Sequence, residues 1–136
     1  MKTRIQGLVL AMTVLFLTAV PAFAHHGFEA EFTTTKPISI TGVVTKVDWI
    51  NPHAYLYLDV KDSSGKTVNW AFETLNPGLL HRNGMQRDMF PVGQTIKIDG
   101  YGARDASKSL GWITRIHFQD GRTIVVSDPN GDSNPK

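Results

Sequence analysis

The chain has 136 residues, with 14 Lys and Arg against 12 Asp and Glu, five His and no Cys, which is enough for one domain and too short for two. The two extra cations, Lys2 and Arg4, lie within residues 1–24. Without that segment the chain carries no net charge, which argues against nucleic acid as a partner. An aromatic content of 10%, without a heptad or Gly-x-y period, excludes coiled coil, collagen and wholesale disorder.

Residues 1–24 have the three parts of a secretory signal peptide. Lys2 and Arg4 form a basic start, residues 8–20 are largely apolar, and Ala22-Phe23-Ala24 is a small-x-small cleavage motif. The apolar stretch is shorter than the ~20 residues that a membrane-spanning helix needs. The sequence therefore predicts cleavage after Ala24, a periplasmic or secreted location, and no membrane span in the mature chain.

From Pro37 onward, β-branched and aromatic runs alternate with turn residues, which is typical of β-strands. Strands are predicted over residues 38–50, 53–61, 67–73, 94–101, 110–118 and 123–126. The first strand changes its inward-facing phase at Gly42, which predicts a bulge or bend there. A short helix is expected over residues 76–84, with Asn76 as N-cap, Pro77 at the first position and Gly84 past the end.

This order predicts an all-β fold, a small OB-fold-like barrel of five to six strands with one short helix between strands 3 and 4. Other small β-barrels and sandwiches are the alternatives. The expected organisation is a signal peptide over 1–24, an N-terminal arm over 25–36, the barrel domain over 37–127 and a disordered tail over 128–136.

Cleavage after Ala24 would make His25 the first residue, directly followed by His26. The reference pKa is about 7.7–8.0 for an α-amine and about 6.5 for an imidazole, so both groups are substantially neutral near pH 7 to 8 and can donate a lone pair. Such nitrogens together can chelate copper or nickel. The alternative is that both histidines are simply polar residues of a frayed terminus.

A second candidate feature is the corner Asn51-Pro52-His53 between the first two strands. Pro52 restricts Asn51 to extended geometry and removes a backbone donor, so His53 is expected at a fixed place on the rim. If the arm folds back onto this rim, the amine and imidazole of His25 with the imidazole of His53 form a three-nitrogen copper site, a histidine brace, assisted by His26. The alternative is that His53 only caps a turn with Asn51.

Glu73 is a possible oxygen ligand, but the expected strand register argues against it. A turn at Ser64-Gly65-Lys66 would place Tyr57 opposite Glu73. His53 would then lie about 13 Å away along its strand, at ~3.3 Å per residue. Tyr55, Tyr57 and Glu73 are instead expected to line an exposed face that binds an envelope polymer or a partner protein without metal, or only to form cross-strand pairs.

The sequence lacks the common enzyme motifs: there is no Cys nucleophile, no G-x-S-x-G, no phosphate-binding glycine loop and no H-E-x-x-H. His81 and His117 are expected to be ordinary surface residues. The sequence thus favours a binding module over an enzyme, and a copper redox enzyme using the same brace is a third hypothesis.

The chain resembles a family of short, exported, uncharacterised bacterial proteins, a domain of unknown function with a His-His mature N-terminus and a Trp-x-Asn-Pro-His motif. The resemblance covers nearly all of the mature chain and implies export and a β fold, with no established activity. This sequence departs from it at Met85 and in the loop 103–107. The matching residues are His25, His26, Phe28, Phe32, the runs 40–44 and 49–53, Trp70, Glu73, residues 91–93 and Gly100.

Overall fold

The computed structural model describes residues 27–127, which form six strands, two α-helices and one 3-10 turn. The segment assigned to a signal peptide, His25, His26 and the tail 128–136 lie outside the described residues. In chain order the elements are α1 (Phe28–Glu31), β1 (Phe32–Asp48), β2 (Tyr55–Lys61), β3 (Thr67–Glu73), α2 (Pro77–Arg82), the 3-10 turn (Arg87–Met89), β4 (Thr95–Ala103), β5 (Leu110–Phe118) and β6 (Thr123–Val125).

The strands hydrogen-bond in the order β3-β2-β1-β4-β5-β6, and β3 also pairs with β5. The β3–β5 pairing is parallel and the other pairings are antiparallel. Strands β1 to β5 therefore form a closed ring of hydrogen bonds, and the prediction of a mostly β fold with a helix between strands 3 and 4 is confirmed. The enclosed core includes Val44, Leu56, Leu58, Phe72, Leu80, Ile96, Ile98, Ile113 and Ile116.

Strand β1 is longer than the sequence predicted, because it begins at Phe32, inside the segment assigned to an arm. The change of inward-facing phase that the sequence predicted at Gly42 is also wrong. Inward positions continue through Gly42 to the fully buried Val44, and the register against β2 shifts around Thr45. Gly42 has another role: a Cβ there would lie 2.8 Å from the Asp59 carbonyl oxygen, so the glycine lets β1 and β2 approach closely.

The hairpin between β2 and β3 has a register two residues away from the one predicted. Tyr55, not Tyr57, lies opposite Glu73. The reason is the turn, which is centred on Ser64 rather than Gly65. The amide of Gly65 donates to the Asp62 carbonyl at 2.9 Å, and Gly65 adopts a left-handed φ of +82°, as expected for a type I turn followed by a glycine.

Helix α2 follows the sequence signals closely. The Asn76 side chain accepts a hydrogen bond from the Leu79 amide at 2.9 Å, Pro77 occupies the first helical position, and Gly84 past the end has φ +79°. These are the expected capping preferences. The helix buries Leu80 against the core, and so it closes one end of the ring of strands.

Helix α1 lies outside this core, on the outer face of the sheet. Phe32 pairs with Ala103, and the next paired positions are Pro37 and Tyr101, so four residues of β1 bulge out opposite one residue of β4. Phe28 packs against Phe32, Tyr101 and Trp112, with ring centroids 5.6 to 5.9 Å apart. The N-terminal segment thus covers the outer face where β3 and β5 meet.

Candidate functional site

The site is a cleft of about 470 Å³ between α1, the end of β3, the Asn51-Pro52-His53 corner and the loop after β4. It combines aromatic rings with charged groups of both signs. Gly27, the first described residue, lies on its wall together with His53. The lining residues are Gly27, Phe28, Ala30, Glu31, Phe32, His53, Glu73, Ala103, Arg104, Asp105, Lys108 and Trp112.

His53 and Glu73 are in direct contact in this cleft. The Nδ1 atom of His53 lies at hydrogen-bonding distance from Oε1 of Glu73. The His53 side chain is 41% exposed, whereas that of Glu73 is only 8% exposed. The carboxylate therefore fixes the imidazole from its buried side and leaves Nε2 as the nitrogen for any ligand or metal ion.

The expectation that His53 and Glu73 lie about 13 Å apart is thus wrong. The two-residue difference in register brings Glu73 level with Tyr55, next to the corner that carries His53. Glu73 also points to the outer face by alternation with the buried Phe72, yet it is itself buried. It is buried because neighbouring groups such as His53 and Trp112 enclose it on that face.

Tyr55 completes the surroundings of Glu73. Burial, followed by the hydrogen bond to the Glu73 carboxylate, strongly raises the pKa of Tyr55. The phenol is therefore protonated at neutral pH and can donate to the carboxylate. Glu73 is consequently held between an imidazole and a phenol, which keeps its position in the cleft wall well defined.

Trp112 forms the floor of the cleft and was not singled out by the sequence. Its ring meets that of His53 edge to face at 5.9 Å and that of Phe28 at 5.7 Å. Its Nε1 donates to the hydroxyl of Ser127 at 2.8 Å. Strand alternation could have identified Trp112. Ile113 faces inward, so the neighbouring Trp112 must face outward, and a large outward aromatic ring is expected to be covered by another segment of the chain.

The face formed by Tyr55, Tyr57 and Glu73 differs from the one expected. The two tyrosine rings stack at 6.2 Å and are half-buried, and Lys46 lies over the Tyr57 ring at 4.9 Å. Tyr57 pairs with Ala71, and Glu73 is buried rather than exposed. The three side chains therefore do not form one exposed surface.

A second histidine–carboxylate pair lies on the outer face of β4 and β5. Nε2 of His117 is 2.6 Å from Oδ2 of Asp99, and Nδ1 is 2.9 Å from the Thr123 hydroxyl. Burial alone would raise the pKa of Asp99, but hydrogen bonds from Ser39 and His117 outweigh it and lower that pKa. His117 thus belongs to a hydrogen-bond network with Asp99 and Thr123 and is not an ordinary surface histidine. His81 is exposed on α2.

His25 and His26, two of the three residues predicted to bind metal, lie outside the described residues. Among residues 27–127, no group of three or more His, Asp or Glu side chains lies close enough to hold a metal ion. In the same part of the chain, no helix has the length and apolar character needed to cross a membrane.

Comparison with known proteins places the chain in a family. Residues 13–111, well over half of the chain, match the family of unknown function DUF6152, and the chain therefore belongs to that family. Neither the curated proteins nor the solved structures contain a significant match.

Proposed function

We propose that this member of the DUF6152 family is an exported copper-binding protein that is processed after Ala24. In this proposal the α-amine and imidazole of His25, together with the imidazole of His53, bind the metal and His26 assists. The bound ion would be Cu(II) in a set of nitrogen ligands, for which copper has the highest affinity among the divalent first-row metals. The protein acts as a periplasmic or secreted binding module rather than as an enzyme.

The observation that carries the proposal is the contact between His53 Nδ1 and the buried Glu73 carboxylate. A histidine that ligates a metal almost always donates its other ring N–H to a carboxylate, a carbonyl or water. The contact selects the tautomer with its lone pair on Nε2 and fixes the orientation of the ring. Glu73 is thereby assigned to holding the ligand, and not to ligation itself.

The position of Gly27 supports the involvement of the two preceding histidines. Gly27 and His53 line the same cleft, and His26 is bonded directly to Gly27. A residue spans at most about 3.6 Å of extended chain, so the amine of His25 starts within about 7 Å of the cleft wall along the chain. The aromatic contacts of Phe28 keep this starting point in place.

The fold that supports this site is, in our proposal, an OB-like barrel. The closed ring β1-β2-β3-β5-β4, with a helix between β3 and β4, supports that interpretation. Such barrels bind very different ligands, so the fold does not select copper. Copper is favoured by the nitrogen donors alone.

The experiment is a competitive Cu(II) titration of the processed protein, whose N-terminus is verified by mass spectrometry. One equivalent of tightly bound Cu(II) is expected. Adding one Ala before His25 removes the α-amine from the chelate, and His53→Ala removes the third nitrogen, so each should weaken binding at least about tenfold, or 1.4 kcal/mol. His81→Ala changes an exposed residue of α2; it is the matched control and should leave the affinity unchanged.

Unchanged affinity in the extended protein would refute the brace. A native N-terminus other than His25 would refute the processing step. The metal-independent polymer- or protein-binding module built on Tyr55, Tyr57 and Glu73 has weaker support, because Glu73 is buried and is not part of an exposed surface. A copper redox enzyme would need substrate turnover by the loaded protein, which the titration samples can be assayed for directly.

A further inference from the structure

We infer that Arg104 is a positioning residue for the proposed copper site, because it clamps the segment that follows His26 against the cleft. This inference rests on the proposed function and adds to it a group that touches no metal ligand. Arg104 lies in the loop after β4, far from His53 in the sequence, and lines the same cleft as His53.

Arg104 holds α1 by two separate bonds. Its side-chain Nε donates to the carbonyl oxygen of Glu29 at 2.5 Å, and its backbone amide donates to the carbonyl of Glu31 at 2.9 Å. The last carbonyls of a helix have no partner within the helix. In the four-residue α1 this leaves most acceptors free, so the guanidinium supplies a bond that the helix itself cannot make.

Lys36 fixes the clamp in turn. Its Nζ donates to the carbonyl of Arg104 at 2.7 Å and to that of Ala103 at 3.3 Å. Lys36 ends the four-residue excursion of β1 that lies opposite the single residue Gly102. The loop after β4 therefore donates hydrogen bonds to α1 and accepts hydrogen bonds from Lys36 of β1.

The clamp and the aromatic contacts act on different parts of the segment. Phe28 is held by Trp112 and Phe32, whereas Arg104 holds the backbone at Glu29 and Glu31. Removal of the guanidinium should therefore loosen the segment without releasing it. Arg104 itself is exposed, so its truncation should leave the folded core intact.

The consequence for copper follows from the population of the docked segment. Affinity for a ligand falls in proportion to the fraction of protein in the competent state. A hydrogen bond from a charged donor stabilises more than a neutral one, so its loss should lower the docked fraction enough to weaken Cu(II) binding about three- to tenfold.

The test compares Arg104→Ala with Arg82→Ala, which removes the same charge at an exposed position of α2. Two readouts are measured on processed protein: the Cu(II) dissociation constant and amide hydrogen exchange of residues 28–32. Arg104→Ala should exchange faster in that segment and bind Cu(II) more weakly at an unchanged midpoint of unfolding, while Arg82→Ala should match the parent in both. Arg104→Lys keeps the charge, loses the planar fork and should recover only part of the affinity.

The outcomes distinguish a failure of this inference from a failure of the proposed function. If the parent binds Cu(II) through His25 and Arg104→Ala binds equally well, the clamp is wrong and the copper site stands. If the parent does not bind Cu(II), both are overturned, whatever the exchange data show. Faster exchange with unchanged affinity would reduce Arg104 to a structural contact and refute the positioning role.

Discussion

Glu73→Gln isolates the charge of the carboxylate while it keeps the shape of the side chain. The amide oxygen can still accept the Nδ1 proton of His53, and the amide NH2 can face the Tyr55 hydroxyl. What disappears is the negative charge next to the imidazole. The change therefore tests whether the contact between His53 and Glu73 matters as a charged hydrogen bond or only as packing.

The expected magnitudes follow from the exposure of the two partners. Hydrogen bonds to charged groups contribute about 1.5–3 kcal/mol and neutral ones about 0.5–1.5 kcal/mol. Because the His53 side chain is 41% exposed, water screens part of the difference, and Glu73→Gln should lower the free energy of unfolding by about 1 kcal/mol. Cu(II) affinity should fall about 10- to 100-fold, as for other partners that orient a metal ligand.

Urea denaturation of the metal-free protein and competitive Cu(II) titration measure the two effects separately. Glu31→Gln is the control, since Glu31 lines the same cleft, is exposed and lies outside the His53 contact. It should change neither quantity by more than a small amount. Equal Cu(II) affinities for the parent and Glu73→Gln would show that the carboxylate does not orient a metal ligand, and the argument from the tautomer would fail.

Three further predictions concern the fold. Gly100→Ala places a Cβ 1.8 Å from the Trp112 carbonyl oxygen, so the free energy of unfolding should fall by about 3 kcal/mol in urea titration; a loss near zero would mean that β4 and β5 can separate freely. Gly65→Ala meets open space but keeps φ +82°, and should cost about 1–2 kcal/mol, a loss that Gly65→Asn should partly avoid. The pKa of Asp99 is lower in the folded protein than in the unfolded chain. The charged carboxylate therefore stabilises the fold at pH values above the unfolded pKa of about 3.9, and this stabilisation is lost as pH falls through the folded pKa. Asp99→Asn should therefore destabilise the protein at pH 7, and the difference should disappear only as pH falls below the lowered pKa of Asp99; a difference independent of pH would exclude the hydrogen bonds from Ser39 and His117 as its source.

The strands that face the core could be located from the sequence because alternation and turn chemistry are local signals. Strands β3 and β5 have the predicted boundaries. Asn76, Pro77 and Gly84 delimit α2 where capping preferences place them. Each of these features depends on residues within a few positions of one another.

These local signals could not predict the register of the hairpin between β2 and β3. Moving the centre of the turn from Gly65 to Ser64 preserves the alternation of Leu56 and Leu58, so the hydrophobic pattern cannot distinguish the two registers. The hydrogen bond from Gly65 to Asp62 decides between them. On that choice depends whether Glu73 reaches His53.

The sequence by itself determined a β-rich chain, the position of α2 and the residue types that could bind a metal, because these follow from composition, periodicity and local turn preferences. Only the tertiary structure decided that Glu73 meets His53 and that α1 covers Trp112 on the outer face. Both depend on contacts between segments far apart in the chain. The register of the β2–β3 hairpin and the four-residue bulge in β1 determine those contacts.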